Sequence, residues 1–201
     1  RQFENEANAQ IHEQTTAIEI LEDFKDLGLD YWVSGYGTGG TFSGVSRVLK
    51  KQSPQTKLVI TEPENAQLVN SSIKQERNSD GSPSKPHQSW NSHPIQGWTP
   101  DFIPQVLQES IDENYFDMNV PISGNEGIYW SHQLANREGI ITGISGGSTF
   151  AVAMKIAKEA SDGSNILCML ADTAERYLSS VLFEKIDSEM NEEEIRIFDS
   201  I

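Results

Sequence analysis

Residues 31–41 read YWVSGYGTGGT, and the fold turns on this stretch. Tyr31-Trp32-Val33-Ser34 has the composition of a short strand. Gly35-Tyr36-Gly37-Thr38-Gly39-Gly40-Thr41 is a glycine-rich turn. From Thr41 to Lys51 the apolar residues Phe42, Val45, Val48 and Leu49 recur at helical spacing. A strand, a glycine turn and a helix in that order aim the free N–H groups and the dipole of the helix at the turn, which favours an anion. Glycine allows close backbone approach and positive φ, and Thr38 and Thr41 add hydroxyls.

The same alternation continues on both sides. Thr16 can cap a helix carrying Ile18, Ile20, Leu21 and Phe24, with Gly28 as its stop. Leu58-Val59-Ile60 and Met118 to Ile122 read as strands. Ser123 and Glu126 form an S-x-x-E capping box for a helix running to about Arg137. Ile140-Ile141 lead into a second glycine turn, Gly146-Gly147-Ser148, and an alanine-rich helix to Ala160. Asn165 to Leu170 reads as a buried strand, followed by a short helix from Glu175 to Leu182. Strands separated by helix-length segments predict an α/β fold, an open and mostly parallel sheet with helices on both faces. Ligands of such sheets sit at the carboxyl ends of the strands. Residues 74–93, KQERNSDGSPSKPHQSWNSH, have loop composition and exceed an ordinary connection, as a functional flap or an insertion does.

Composition narrows the function. The 201 residues fit one domain with a real core. Lys plus Arg is 15 and Asp plus Glu is 30, so the formal charge is −15, a balance that argues against a nucleic acid partner. Apolar residues are 36%, too many for a disordered acidic chain. No apolar run approaches the roughly 20 residues of a membrane helix. Cys168 is the single cysteine, so no intrachain disulfide forms, and its place in ILCML predicts an inert buried thiol. His12, His87, His93 and His132 lack metal-site spacing, so no metal is expected. The first residue is Arg1, no signal-peptide pattern follows it, and a longer polypeptide is the expectation.

The glycine turn has two functional readings. Gly35, Gly37 and Gly40 satisfy G-x-G-x-x-G, and Glu62 lies 22 residues after Gly40, where a dinucleotide fold places its ribose-binding acid. Alternatively, Gly37 to Thr41 cradle one phosphate monoester, which the crowding of Thr beside Gly suits better. The turn alone leaves both open.

GTGGT at 37–41 resembles the phosphate-binding loop of the cysteine synthase (O-acetylserine sulfhydrylase) family, the fold-type II pyridoxal phosphate (PLP) enzymes. QFENEANAQIHEQTT at 2–16, GVSRVLK at 44–50, HPIQGWTPDFIP at 93–104, EGIITGISGGSTFAVA at 138–153 and ERYLSS at 175–180 are similar to family segments in the same order. The resemblance implies the large domain of the tryptophan synthase β-like PLP fold over 1–201, with residues 74–93 as an insertion loop and an N-terminal small domain missing. It implies pyridoxal 5'-phosphate as cofactor. Gly37, Thr38, Gly39, Gly40 and Thr41 would bind its phosphate. Ser145 would meet the pyridine nitrogen as a neutral hydroxyl, which suits β-elimination over transamination. Gln2 and Gly97 would contact substrate, Trp98 would form a wall or an interface anchor, and Glu175 would pair with Arg176.

None of the nine lysines stands in the family's S-x-K-D-R type context, and the TSGNTG-type substrate loop is absent. The Schiff-base lysine is therefore expected upstream of Arg1, no catalytic residue is expected in this chain, and the chain alone is expected to be inactive. Glu6, Ala9, Ala17, Ala171 and Ala174 replace family Pro or Gly, and Ala171-Asp172-Thr173-Ala174 borders the expected cofactor ring. The implied reaction replaces the acetoxy group of O-acetylserine with sulfide to give cysteine and acetate, in a homodimer with a cytoplasmic or plastid address. A cystathionine β-synthase-like or serine sulfhydrylase relative, a non-catalytic remnant or binding module, and a dinucleotide-binding domain are the alternatives.

Overall fold

In the computed structural model, which describes residues 1–187 and 189–200, four parallel strands form one sheet. They are β1 (Tyr31–Gly35), β2 (Lys57–Pro63), β3 (Met118–Ile122) and β4 (Ile166–Cys168), in the order β3-β2-β1-β4. Val33 pairs with Val59 on one side and with Cys168 on the other. The chain steps from β1 outward to β3, then returns to the other side of β1 for β4. This reversal opens a crevice at the carboxyl ends of β1 and β4, where open α/β sheets bind ligands.

The twofold alternation of strand side chains divides the core. Trp32, Leu58 and Ile60 face a layer holding Ala17, Ile20, Phe42, Val45 and Leu49. Val33 and Val59 face the opposite layer with Ile144, Val152 and Ile156. The first layer comprises α1 (Ala7–Gln14), α2 (Thr16–Asp23), α3 (Gly40–Gln52) and α4 (Gln105–Asp112). The second comprises α5 (Gly124–Glu138) and α6 (Ile144–Ala157). The predicted α/β class, the parallel sheet and the helices on both faces are present.

The sequence expectations hold best where local chemistry is strong. Ser123 accepts from Glu126 N and the Glu126 side chain reaches back to Ser123 N, so α5 starts on a complete capping box. Other expectations need correction. Thr15, not Thr16, occupies the N-cap of α2, and its hydroxyl donates back to Ile11 O instead of capping. That helix ends at Asp23, and Gly28 (φ 73°) closes the turn beyond it. β4 covers only Ile166–Cys168 and is half-buried, because it is an edge strand. The helix expected over 175–182 is a single 3-10 turn, Ala174–Tyr177. Glu175 and Arg176 are exposed and form no ion pair among the described residues. The segment between β2 and α4 contains no helix or strand among its described residues. It is nevertheless packed through Ala66, Leu68 and Ile103, with Trp90 against them. Lys85 in this loop is exposed and pairs with Glu76 at 2.7 Å. After the 3-10 turn, a last helix, α7 (Glu192–Phe198), buries none of its residues. No helix of the described residues is long and apolar enough to cross a membrane.

Candidate active site

A cavity of about 350 Å³ opens at the carboxyl ends of β1 and β4, within the usual size of a small-molecule site. Gly35 to Gly39 and Thr41 form one wall, Gln96 to Trp98 a second, Ser145 and Thr149 a third, and Met169 to Asp172 the fourth. Four segments that are separate in sequence converge here because the sheet order reverses at β1.

The glycine wall is shaped for a compact anion. Gly39 is the N-cap of α3 with φ 87°, a conformation that favours glycine. A Cβ on Gly37 would lie 2.3 Å from Gly97 O, so the glycine turn and the second wall touch backbone to backbone. Among the described residues nothing accepts from the N–H groups of Gly39, Thr41 or Phe42. These donors lie at the positive end of a 13-residue helix.

The two threonines are held from α1. Asn8 Nδ2 donates to Thr38 Oγ1 at 2.9 Å and to Gln2 O at 2.8 Å. His12 Nε2 meets Thr41 Oγ1 at 3.1 Å, and His12 Nδ1 meets Thr16 Oγ1 at 2.9 Å. Burial holds the His12 pKa below its ordinary value, which favours the neutral ring. Asn8, His12 and Thr16 are spaced four apart, a signal the sequence reading passed over.

Ser145 stands in the first turn of α6, is 4% exposed, and lines the cavity. Ser148 and Thr149 in the same helix donate to carbonyls four residues back, at 2.8 Å each. The Ser145 hydroxyl makes no such bond among the described residues and stays available. Beside it, Asp172 accepts a hydrogen bond from Tyr177 Oη, while its Oδ1 is buried without a partner. Burial, then Asp172, push the Tyr177 phenol up to about 12.

Of the sequence-derived residues, Gly37, Thr38, Gly39, Thr41, Gly97 and Ser145 meet on this cavity. Trp98 is a wall, as expected. Gly40 lies behind the loop against Asn8, and Gln2 is exposed and outside the lining. His93 sits in the neighbouring turn with Nε2 3.2 Å from Thr99 O, also outside the lining. The lining contains no lysine.

Glu62 overturns the dinucleotide reading. It is fully buried, and Tyr36, Val69, Asn70 and Asn119 donate to its carboxylate. No oxygen is left for a ribose hydroxyl. Open N–H groups with two hydroxyls at one wall, and an unpaired hydroxyl at another, fit the phosphate and the ring nitrogen of PLP.

The family model described as "Pyridoxal-phosphate dependent enzyme" matches residues 1–172. The chain belongs to this family of PLP-dependent enzymes. Within it, the chain is 40% identical over 187 residues to O-ureido-L-serine synthase of Streptomyces lavendulae, covering 93% of this chain and 52% of that protein. It is 36% identical over 183 residues to cysteine synthase of Staphylococcus aureus, covering 91% and 53%. A crystal structure of O-ureido-L-serine synthase superposes with a TM-score of 0.82 at 38% identity, covering 98% of this chain and 56% of the other. The chain spans about half the length of the curated relatives it matches. Its PLP-family membership and its likeness to cysteine synthases agree with the cofactor that the two cavity walls suit.

Proposed function

We propose that the protein, with PLP bound, replaces the acetoxy group of O-acetylserine with sulfide, giving cysteine and acetate. The observation that carries this reading is the presence on one cavity of the open cradle at Gly37 to Thr41 and the free hydroxyl of Ser145. The cradle would hold the phosphate through the N–H groups of Gly39, Thr41 and Phe42 and the hydroxyls of Thr38 and Thr41. Bound PLP supplies an electron sink for the electrons released at the substrate Cα. Ser145 meets the ring nitrogen without charging it, which moderates that sink and favours loss of β-acetate over transamination. Gly97 is assigned to the amino-acid substrate through backbone at the cavity wall, and Gln2 from the exposed first turn. Because no lysine lines the cavity, the Schiff-base lysine is assigned to polypeptide outside residues 1–201. The active species would be the whole enzyme, a cytoplasmic homodimer.

The 40% identity to an O-ureido-L-serine synthase favours a second reading, in which an oxygen nucleophile bearing a urea group takes the place of sulfide. The two differ in one measurable product. The whole PLP-loaded enzyme is given O-acetylserine with sulfide and hydroxyurea in equal amounts, and the products are weighed by mass spectrometry. Cysteine as the main product supports the first reading. O-ureidoserine as the main product replaces it with the second, and release of neither amino acid rejects both.

A further inference from the structure

Behind the glycine turn, Glu62 lies within the buried run of β2 with no exposed surface. No ion pair among the described residues includes it. Neutral donors fill both oxygens instead. Oε1 accepts from Tyr36 Oη at 2.7 Å and Val69 N at 2.8 Å. Oε2 accepts from Asn70 N at 3.0 Å and Asn119 Nδ2 at 2.8 Å. A carboxylate offers about four acceptor sites, so the set is complete. A buried charge without a counter-ion is tolerated only when hydrogen bonds satisfy it in this way.

The four donors face two different places. Tyr36 lies between Gly35 and Gly37 and lines the candidate active site. Val69, Asn70 and Asn119 line a separate cavity of about 680 Å³ on the β3 side of the sheet. Tyr36 is held at both ends, since its carbonyl accepts from Thr99 N at 2.8 Å and its hydroxyl donates to Glu62. Burial, then the adjoining carboxylate, push the Tyr36 phenol well above its ordinary range, so it remains a donor at neutral pH. A phenylalanine would fill the same core space, in the cluster that also holds Phe42 and Leu107. The hydroxyl is what the phenylalanine would lack, and it donates to the carboxylate.

We propose that Glu62 is a positioning residue for the phosphate loop, fixing Gly35 to Gly37 through the Tyr36 hydroxyl and coupling them to Val69, Asn70 and Asn119. Donors that bind an anion act best when their directions are set beforehand, because no energy is then spent on ordering them. The N–H groups of Gly39, Thr41 and Phe42 inherit their directions from the turn, and Tyr36 is the one residue of that turn whose side chain is anchored in the core. The inference rests on the PLP reading above.

The test uses the whole PLP-loaded enzyme and two variants. Tyr36→Phe removes the link at the loop. Asn119→Ala removes a donor on the far side of Glu62, outside the active-site cavity. The readouts are the ³¹P resonance of the bound cofactor phosphate and the Kd for PLP, with the thermal midpoint as a control. Tyr36→Phe should shift the resonance and weaken PLP binding roughly threefold to tenfold, the share of one charge-assisted hydrogen bond that reaches the loop. Asn119→Ala should shift the resonance in the same direction by less, although it touches neither the loop nor the cofactor. Wild-type resonance and affinity in both variants, with lowered thermal midpoints alone, would reduce Glu62 to a structural residue and overturn the inference. Failure of the unmodified enzyme to take up PLP would overturn the proposed function itself, and this inference with it.

Discussion

His12 Nε2 lies 3.1 Å from Thr41 Oγ1, so helix α1 reaches across to the first turn of helix α3 and fixes a hydroxyl of the proposed phosphate cradle. The other ring nitrogen is 2.9 Å from Thr16 Oγ1. Each end of the imidazole therefore meets a hydroxyl, an arrangement that a neutral ring serves with one donor and one acceptor.

This contact gives the fold a pH dependence. Burial lowers the His12 pKa from its ordinary 6.5. As pH falls, the unfolded chain takes up the proton before the folded one does. Stability is therefore full above about pH 6.5 and is lost as pH falls through the lowered folded value. Urea midpoints measured from about pH 8 to 5 should decline through that window. His12→Gln should flatten this part of the profile, and an unchanged slope in the variant would refute the assignment.

Gly37→Ala should separate the two touching walls. The added Cβ would meet Gly97 O, a backbone atom, at 2.3 Å. Overpacking of this kind costs about 1–3 kcal/mol. If that strain falls on the cradle, PLP binding weakens about tenfold or more. Titration of the PLP-free protein with PLP checks this, and wild-type affinity would contradict the close approach.

Cys168 should be a slow thiol. Burial pushes its pKa up to about 11, so at neutral pH little of it is thiolate. Alkylation by iodoacetamide should run about a hundredfold slower in the folded protein than in urea. Equal rates would show that β4 leaves the thiol open.

Ser123→Ala should cost α5 its reciprocal cap and lower stability by about 1 kcal/mol. Ser123→Thr should recover most of this loss, because threonine caps by the same geometry. Urea unfolding measures both.

The parts of the fold that were legible in the sequence are those set by local chemistry. The YWVSG strand, the glycine turn and the Phe42-Val45-Leu49 face each carry their own signal, and they stand where expected. The Ser123–Glu126 box is equally local. Helix α4 was missed because its role is tertiary: Leu107 packs under Gly39, and Ser110 Oγ meets Ser43 Oγ at 3.0 Å. β4 was overextended because ILCML is apolar throughout, and only sheet order reveals that it is an edge. At the site, motif and resemblance pointed to Gly37, Thr38, Gly39, Thr41 and Ser145, which line one cavity. Asn8 and His12 were not, since their work depends on α1 crossing α3. The literal G-x-G-x-x-G match kept the dinucleotide reading open for a similar reason. Glu62 has the spacing of a ribose ligand, but its burial and four donors belong to packing that no linear pattern records.

A crystal structure of the PLP-loaded whole enzyme measures the site most directly. The cofactor phosphate should lie within hydrogen-bond reach, about 2.7–3.2 Å, of the N–H groups of Gly39, Thr41 and Phe42. The ring nitrogen should lie within the same reach of Ser145 Oγ. A phosphate bound away from the Gly37 to Thr41 turn, or a ring nitrogen turned away from Ser145, would contradict the assignment.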